Sequence, residues 1–327
     1  MDVLTLTNAP EAPFLQQQLE ALEERGVSVT VRAVGGDPTT PQSRGPVPYL
    51  RFFRTVRAEP LAEYDLIHAH YGLTAPMALA QRQLPVVLSL WGSDVHGPVK
   101  PISRLCAPRC DEVIVMSQAM ADAIDRPCRV IPDGVDIGMF EPQPREAALE
   151  AVGWSKNVAN VLFPYAPDRS VKNYPRARRI VNVVRERLEK PVQLRTVSGV
   201  DHEAMVTYMN AADSLLLTSH SEGSPNSVKE AMACNLPVVA ADVGDVRERL
   251  EGVEPSTVAT SDEELIDGLT ETLERGVRSN GRDAVREVSL EATTDSLLEV
   301  YEAVVRDGND DDADDHPSQH RENPPRA

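Results

Sequence analysis

The feature that most constrains the fold of this chain is a regular alternation of short apolar runs with amphipathic stretches. The runs are four to eight residues long, which suits buried strands of a parallel sheet, and the stretches between them show helical spacing. This pattern predicts an α/β fold with doubly wound parallel sheets. It occurs in two series. The predicted strands are 3–7, 27–34, 65–70, 86–90, 113–116 and 129–132 in the first series, and 160–163, 192–197, 214–218, 236–241 and 257–260 in the second.

Between the two series, turn-forming residues at 132–144 interrupt the pattern,. We therefore predict an N-terminal Rossmann-like domain at 1–142 and a C-terminal one at 143–306. A chain of 327 residues has room for two such domains, each with its own core,. The last helix of the second domain is a candidate to pack back on the first.

The end of the chain has a different composition. Residues 307–327 contain seven acidic residues and two arginines, with no apolar periodicity. Such a segment cannot bury a core, so we predict that it is a disordered acidic tail. A solvating tail is favoured over a partner-binding one.

The whole chain is strongly acidic. It has 33 basic and 51 acidic residues, a net charge of −18, and lysine only at positions 100, 156, 172, 190 and 229. An acidic, lysine-poor surface stays hydrated at high salt, so we predict a halophilic source, with an acidic mesophilic protein as the alternative. Nucleic acid is a poor partner for such a surface.

Neither a membrane span nor a metal site is predicted. No apolar stretch approaches the roughly 18–20 residues that cross a bilayer, and the N-terminus lacks the basic region of a signal peptide, which favours a cytoplasmic location,. The four cysteines have no matching His/Cys pair and are interpreted as buried thiols,. We expect no metal and no cofactor.

A loop between two apolar runs carries the clearest site pattern. Ser224 and Pro225 are typical of a helix cap and first helical residue,. The free N–H groups of a first helical turn favour a phosphate. Glu222 precedes this turn, and Glu230 lies roughly 7–8 Å along the helix. Because carboxylates repel phosphates but bind hydroxyls, the pattern predicts a site for a nucleotide-diphosphate sugar.

The pair Glu222-x7-Glu230 resembles the signature of retaining glycosyltransferases of family 4. Four further segments match that family in order: 64–72 (YDLIHAHYG), 91–95 (WGSDV), 131–136 (IPDGVD) and 168–173 (DRSVKN). The resemblance covers about residues 1–305. It implies the GT-B fold, in which two Rossmann-like domains face each other across a cleft. It also implies metal-independent transfer of a sugar to a glycan, lipid-linked or polysaccharide acceptor.

The resemblance also implies roles for single residues. Glu222 is expected to bind hydroxyls of the donor sugar and Glu230 those of the ribose. Arg169 and Lys172 are expected to neutralise the diphosphate as it leaves, which agrees with the need for fixed cations where negative charge develops. The other groups expected to hold the donor belong to Gly223, Ser224, Asn226, Ser227 and, beside the base, Gly199.

The chain departs from the family pattern on the acceptor side. Trp91 stands where many relatives have a histidine, and the loop containing Asn8 lacks the Gly-Gly pair that often follows the first strand. Asp94 and His96 are therefore candidates for acceptor contact or proton handling. His70 lies at the carboxyl end of a predicted strand, where doubly wound sheets bind ligands, and is expected to reach the cleft.

One predicted helix could contact a membrane. Arg51, Arg54 and Arg57 recur every third residue beside bulky apolar residues, and residues 1–140 carry a net charge of −4, against −9 for 141–306. A basic amphipathic helix can dock on an anionic bilayer. An ordinary surface helix with its arginines in solvent shows the same pattern.

Two alternatives to a transferase remain open from the sequence. A nucleotide-sugar epimerase shares the fold and needs no acceptor, and a non-catalytic nucleotide-sugar- or glycan-binding relative would also keep the donor site. A Rossmann dehydrogenase is disfavoured because no Gly-x-Gly-x-x-Gly follows the first strand,.

Overall fold

The computed structural model describes residues 1–36, 45–124 and 126–314, with side chains as far as residue 307. A six-stranded sheet occupies the first half of the chain. Its strands are β1 (Asp2–Thr7), β2 (Ser28–Ala33), β3 (Leu66–His70), β4 (Val86–Leu90), β5 (Glu112–Val115) and β6 (Arg129–Val130). They are all parallel, in the order β2-β1-β3-β4-β5-β6.

A second sheet of five parallel strands occupies the second half. Its strands are β7 (Ala159–Phe163), β8 (Val192–Thr196), β9 (Ser214–Leu217), β10 (Val238–Ala241) and β11 (Thr257–Ala259). Their order is β11-β10-β9-β7-β8. The predicted fold class, two doubly wound parallel-sheet domains, is thus confirmed. The two sheets fall on either side of residue 142, while the boundary at 142/143 itself stays a prediction.

Helices connect the strands in both halves. Those of the first half are α1 (Pro13–Glu24), α2 (Pro46–Arg57), α3 (Ala75–Ala78), α4 (Gly92–His96), α5 (Lys100–Cys106) and α6 (Gln118–Asp122). Those of the second half are α7 (Arg145–Val152), α8 (Tyr174–Arg187), α9 (His202–Ala211), α10 (Asn226–Ala233), α11 (Val246–Arg249), α12 (Asp262–Arg275), α13 (Gly281–Val285) and α14 (Leu290–Asp314).

Each sheet has its own apolar core, and the last helix, α14, packs into the core of the N-terminal sheet. Leu297, Val300, Tyr301 and Val304 of α14 are buried in the cluster that contains β1, β3 and β4. The chain therefore returns to the N-terminal half after building the second sheet. This packing stabilises α14, since helices depend mostly on the burial of an apolar face.

Helix α14 also corrects the predicted start of the tail. It continues to Asp314, so residues 307–314 are helical rather than disordered. Extending a packed helix adds one hydrogen bond per residue without a new nucleation cost, and acidic residues can be added in this way. The rest of the predicted tail, 315–327, lies outside the described residues.

The stretch 73–82, between two predicted strands, is predicted from the sequence to be a helix, but the helix in the structure is shorter. Helix α3 is a single turn, Ala75–Ala78. Gln81 explains the early end, because its side-chain amide donates to the carbonyls of Ala78 and Leu84 and its side-chain oxygen accepts from the backbone N–H of Leu84 at 2.8 Å. These side-chain bonds replace the backbone bonds that would continue the helix.

Candidate active site

The two halves of the chain meet at the carboxyl ends of β4 and β9. A Cβ added to Gly92 would lie 3.4 Å from the backbone nitrogen of Gly223, and one added to Gly223 would lie 3.1 Å from the sulfur of Met120. The loop 218–225 after β9 therefore touches the N-terminal half through residues without side chains. Ligands of open α/β sheets bind in such crevices at the carboxyl ends of strands.

Helix α10 begins one residue later than predicted. Pro225 occupies the cap position, Asn226 is the first helical residue, and no side chain caps the helix. The predicted cap, Ser224, instead donates a hydrogen bond to Oδ2 of Asp245 at 2.7 Å. Because the buried Asp245 carboxylate takes the hydroxyl, the first-turn N–H groups of α10 keep no side-chain partner at the cap.

Glu222 and Lys172 are brought into direct contact. Nζ of Lys172 lies 2.5 Å from Oε1 of Glu222, and the hydroxyl of Ser219 donates to the same oxygen at 2.6 Å. Burial lowers the pKa of Lys172, and Glu222 opposes that shift. Arg169, three residues before Lys172, is exposed and contributes to the same lowering through its positive charge. Two cations and one carboxylate thus lie beside the start of α10.

Tyr165 forms one side of this group and was not singled out from the sequence. It lies two residues after β7, and Nζ of Lys172 sits 4.0 Å from the centre of its ring, a cation–π contact. Its hydroxyl is hydrogen-bonded to Ser227. Burial raises the pKa of the Tyr165 phenol, so it stays neutral. The side chain of Ser227 is therefore already bonded, which leaves its backbone N–H for a ligand.

Glu230 faces a cavity between the two halves. The cavity has a volume of about 180 Å³. Oε1 of Glu230 lies 2.8 Å from Nε2 of His202, the first residue of α9. His202 was missed from the sequence, where only its position at a helix start could have pointed to it. The lining includes Phe14, Asp136, Phe140, His202, Asn226 and Glu230.

A buried lysine ties α10 to the chain segment between the two sheets. Lys229 is fully buried and its Nζ donates to the backbone oxygen of Asp133 at 2.5 Å. Burial raises the pKa of the Asp133 carboxyl, while the Lys229 charge and a hydrogen bond from Asn226 oppose this. The Asn226 side chain is thus directed at Asp133, and its expected contribution to the donor site is limited to its backbone and the cavity wall.

In the N-terminal half, Trp91 occupies the cap position of α4 and Asp94 lies in its first turn. The backbone N–H of Trp91 donates to Oδ2 of Asp94 at 2.9 Å, and the Phe14 ring meets the indole edge-on at 4.9 Å. Asp94 is fully buried, and burial raises its pKa to about 7. Hydrogen bonds from the backbone N–H groups of Trp91 and Gly72 act in the opposite direction and lower the pKa. Its Oδ1 has no hydrogen-bond partner among the described residues.

His70 was expected to reach the cleft, but in the structure its side chain is buried. It is 1% exposed, its ring lies 3.8 Å from that of His68 and 5.9 Å from that of Trp91, and burial lowers its pKa to about 3. Residues two apart on a strand share a face, which explains the histidine stack. His68 bonds to the Tyr301 hydroxyl at 2.5 Å, so α14 covers this pair. His70 therefore supports Trp91 as a neutral imidazole.

The three remaining candidates are Asn8, His96 and Gly199. Asn8 is buried directly after β1, and His96 is exposed at the end of α4. Gly199 is exposed with φ of 70°, a left-handed conformation that favours glycine,. It lies in the loop after β8, outside the cavity lining.

Helix α2 has the arrangement of a surface helix. Phe52 and Val56 are buried, while Arg51, Arg54 and Arg57 are exposed. Val47 and Leu50 are more than half exposed on the same helix. Within the described ranges, no helix is both long and apolar enough to span a bilayer. In the same part of the chain, no three His, Cys, Asp or Glu residues are grouped as metal ligands would be.

Family models match both halves of the chain. Residues 12–138 match Glycosyltransferase Family 4, and residues 174–275 match Glycosyl transferases group 1. A D-inositol 3-phosphate glycosyltransferase from Saccharomonospora viridis is 28% identical over 346 residues, which cover 85% of this chain and 80% of that protein.

Solved structures share the architecture at low sequence identity. Sucrose-phosphate synthase from Thermosynechococcus elongatus has a TM-score of 0.75 at 19% identity, covering 94% of this chain and 100% of that one. HepE from Anabaena, in complex with UDP-glucose, has a TM-score of 0.60 at 17% identity, covering 96% of this chain and 100% of that one. Together with the two parallel-sheet domains and their cleft, these matches identify the chain as a glycosyltransferase of the GT-B fold, whose residues 12–138 match the family 4 model.

Proposed function

We propose that the chain transfers a sugar from a nucleotide-diphosphate sugar, with retention of anomeric configuration and without a metal ion. The observation that carries this proposal is the arrangement around α10. Glu222, paired with Lys172, precedes its uncapped first turn, and Glu230 faces the cavity about one turn after the helix begins,. This order of groups suits a sugar, a diphosphate and a ribose in sequence.

The donor proposed for a first test is UDP-glucose, because the similar HepE structure contains it. Glu230 would accept hydrogen bonds from the ribose, and Glu222 from hydroxyls of the sugar. Oε1 of Glu222 already accepts from Lys172 and Ser219, so Oε2 is the oxygen proposed to meet the sugar. Gly223, with little space around it, would bring its backbone close to the donor.

The chemical step follows from the charges. A C1–O bond to the acceptor forms on the face from which the diphosphate leaves, the C1–O bond to the diphosphate breaks, and the acceptor proton moves to a base. Lys172, Arg169 and the first-turn N–H groups of α10 would stabilise the departing diphosphate. Asp94 is the proposed final proton acceptor, because its Oδ1 has no hydrogen-bond partner among the described residues and its raised pKa of about 7 suits proton transfer near neutral pH,.

The acceptor is proposed as a glycan, a lipid-linked sugar or a polysaccharide. The relative from Saccharomonospora viridis is named for D-inositol 3-phosphate, so that acceptor belongs in the same test. The exposed arginines of α2 support a peripheral contact with an anionic membrane,. A cytoplasmic location at the inner face of that membrane is part of the proposal.

A thermal-shift screen of nucleotide sugars in high salt, followed by NMR of the reaction products, tests the proposal. A bound donor raises the unfolding temperature, and the sugar must appear on the acceptor with its original anomeric configuration. Formation of an epimer from the donor alone would instead assign the chain as an epimerase. Donor binding without turnover across the acceptor panel would favour a binding protein, and inversion at C1 would contradict the retaining mechanism.

A further inference from the structure

His202 is the residue whose contact with Glu230 the family resemblance does not explain. It opens α9, directly after the loop that follows β8, and its Nε2 lies 2.8 Å from Oε1 of Glu230. The two side chains are 28% and 11% exposed. Glu230 is therefore held by a partner from another element rather than by its own helix.

The surroundings of His202 contain carboxylates and apolar groups. Glu230 lies on α10 and Asp136 on the segment between the sheets, and the Phe140 ring lies 5.2 Å away. Across the cavity, α1 contributes the uncharged Pro13, Phe14 and Gln17.

The other charged groups nearby point elsewhere or lie in solvent. Asp201 and Glu203, the neighbours of His202 in sequence, are exposed. Lys229 precedes Glu230 but donates to Asp133. Within the described chain, His202 is the one residue in the cavity lining that can carry a positive charge.

We propose that His202 positions the Glu230 carboxylate for the donor ribose and that its protonated form strengthens binding of the anionic donor. This inference rests on the proposed donor site. The contact occupies one carboxylate oxygen and fixes the plane of the group, which leaves the second oxygen for a ribose hydroxyl. When protonated, the imidazole offsets the negative charge of Glu230, which would otherwise repel the diphosphate.

The electrostatics set the direction of the pH response. The hydrogen bond to Glu230 raises the pKa of His202 above its ordinary 6.5, the charges of Glu230 and Asp136 add to this, and burial opposes it. As pH rises through that pKa, the proton and its attraction for the diphosphate are lost. A donor that raises the pKa by half to one unit binds the protonated enzyme roughly three- to tenfold more tightly.

Calorimetric titration with UDP-glucose from about pH 5.5 to 9 tests this. UDP-glucose is the suitable probe because its diphosphate does not titrate in this range, whereas a terminal phosphate has a pKa of about 6. For the wild type, the dissociation constant should rise roughly three- to tenfold across the range.

Three variants separate positioning from charge. His202→Gln can still donate to Glu230 but cannot titrate, so its affinity should be independent of pH and close to the wild-type value at high pH. His202→Ala loses both effects and should bind more weakly than His202→Gln at every pH. Glu203→Gln, an exposed charge change at the next residue, should keep the wild-type profile. In turnover, His202→Gln should raise the donor KM at low pH and leave kcat unchanged.

The outcomes distinguish this inference from the proposed function. A folded wild type that does not bind UDP-glucose would contradict the proposed donor and the inference with it. Binding that is independent of pH in the wild type, or a His202→Gln variant that retains the pH response, would overturn the inference alone. So would a His202→Ala variant with wild-type affinity.

Discussion

Nζ of Lys172 lies 2.5 Å from Oε1 of Glu222, although the two residues are 50 positions apart in sequence. They follow β7 and β9, which are adjacent in the sheet. Both side chains are largely buried, at 8% and 13% exposed. Each charge therefore stabilises the other, and a substitution at one residue leaves the charged group of the other buried without its partner.

Lys172→Met should impair both activity and stability. It removes a cation beside the proposed diphosphate position and leaves a buried carboxylate without its partner. We expect kcat to fall at least about 100-fold and the free energy of unfolding to fall by about 3–5 kcal/mol. Steady-state kinetics and denaturant unfolding measure these effects.

The double variant Lys172→Met/Glu222→Gln is the matched control. Its neutral amide needs no counter-ion, so stability should recover while activity stays low. A single variant as active as the wild type would contradict the assigned role of Lys172.

Asp94 should make stability and activity respond oppositely to pH. Its folded-state pKa of about 7 lies above the ordinary 3.8, so the folded state favours the protonated carboxyl. Its contribution to the free energy of unfolding is complete below about pH 4 and is lost as pH rises through about 7,. If Asp94 accepts the acceptor proton, kcat/KM rises over the same upper window.

Asp94→Asn tests both responses. It should remove this part of the pH dependence of unfolding and lower kcat/KM while flattening its profile, as measured by thermal unfolding and initial rates at several pH values. An Asn variant with the wild-type rate profile would exclude Asp94 as the base.

Tyr165 should act through two separable contacts. Tyr165→Phe keeps the ring below Lys172 but loses the hydroxyl bond to Ser227, at a cost of about 1–2 kcal/mol in unfolding free energy. Tyr165→Leu also removes the cation–π contact, worth a further 0.5–2 kcal/mol or so. The Leu variant should therefore show the larger rise in donor KM. Equal donor KM values for the two variants would show that the ring contact does not position Lys172.

Salt should stabilise the protein. A net charge of −18 produces self-repulsion that dissolved ions screen. Between about 0.1 and 2 M KCl, we expect the midpoint of thermal unfolding to rise by at least about 5 °C. Calorimetry measures this, with NaCl as the comparison because screening does not depend on which of the two cations is present. An unchanged or lower midpoint in both salts would contradict the predicted adaptation to high salt.

The exposed face of α2 should bind anionic vesicles. Replacing Arg51, Arg54 and Arg57 with serine removes three charges, each worth about 1 kcal/mol near such a surface, and should abolish co-sedimentation with vesicles containing phosphatidylserine. The control replaces three exposed arginines of the C-terminal half, Arg178, Arg275 and Arg286. Equal loss in both variants, or no binding by the wild type, would argue for an ordinary surface helix.

The sequence predicted the strands to within two residues at each end, because a buried parallel strand is a continuous apolar run,. It also predicted that Glu222, Lys172 and Glu230 lie close to the helix that follows β9. It did not predict their partners. Glu222 contacts Lys172 because β7 and β9 are adjacent in the sheet and β8 lies at its edge. A local sequence pattern does not predict the order of strands in a sheet.

Two site predictions failed for a related reason. Ser224 was expected to cap α10, but it bonds to Asp245, 21 residues later. His70 was expected in the cleft, but α14 returns to the N-terminal half and covers the histidine pair through Tyr301. Both outcomes depend on long-range packing, which local helix and strand signals do not contain.

Glu230 is proposed to hold the ribose of a nucleotide-diphosphate sugar. This proposal is tested most directly by calorimetric binding of UDP-glucose and its 2′-deoxyribose analogue to the wild type and to Glu230→Ala. The wild type should bind UDP-glucose roughly tenfold or more tightly than the deoxy analogue, which lacks a hydroxyl for the carboxylate. The variant should bind both weakly and with equal affinity. Equal affinity of the wild type for the two donors, or a variant that still distinguishes them, would contradict the account.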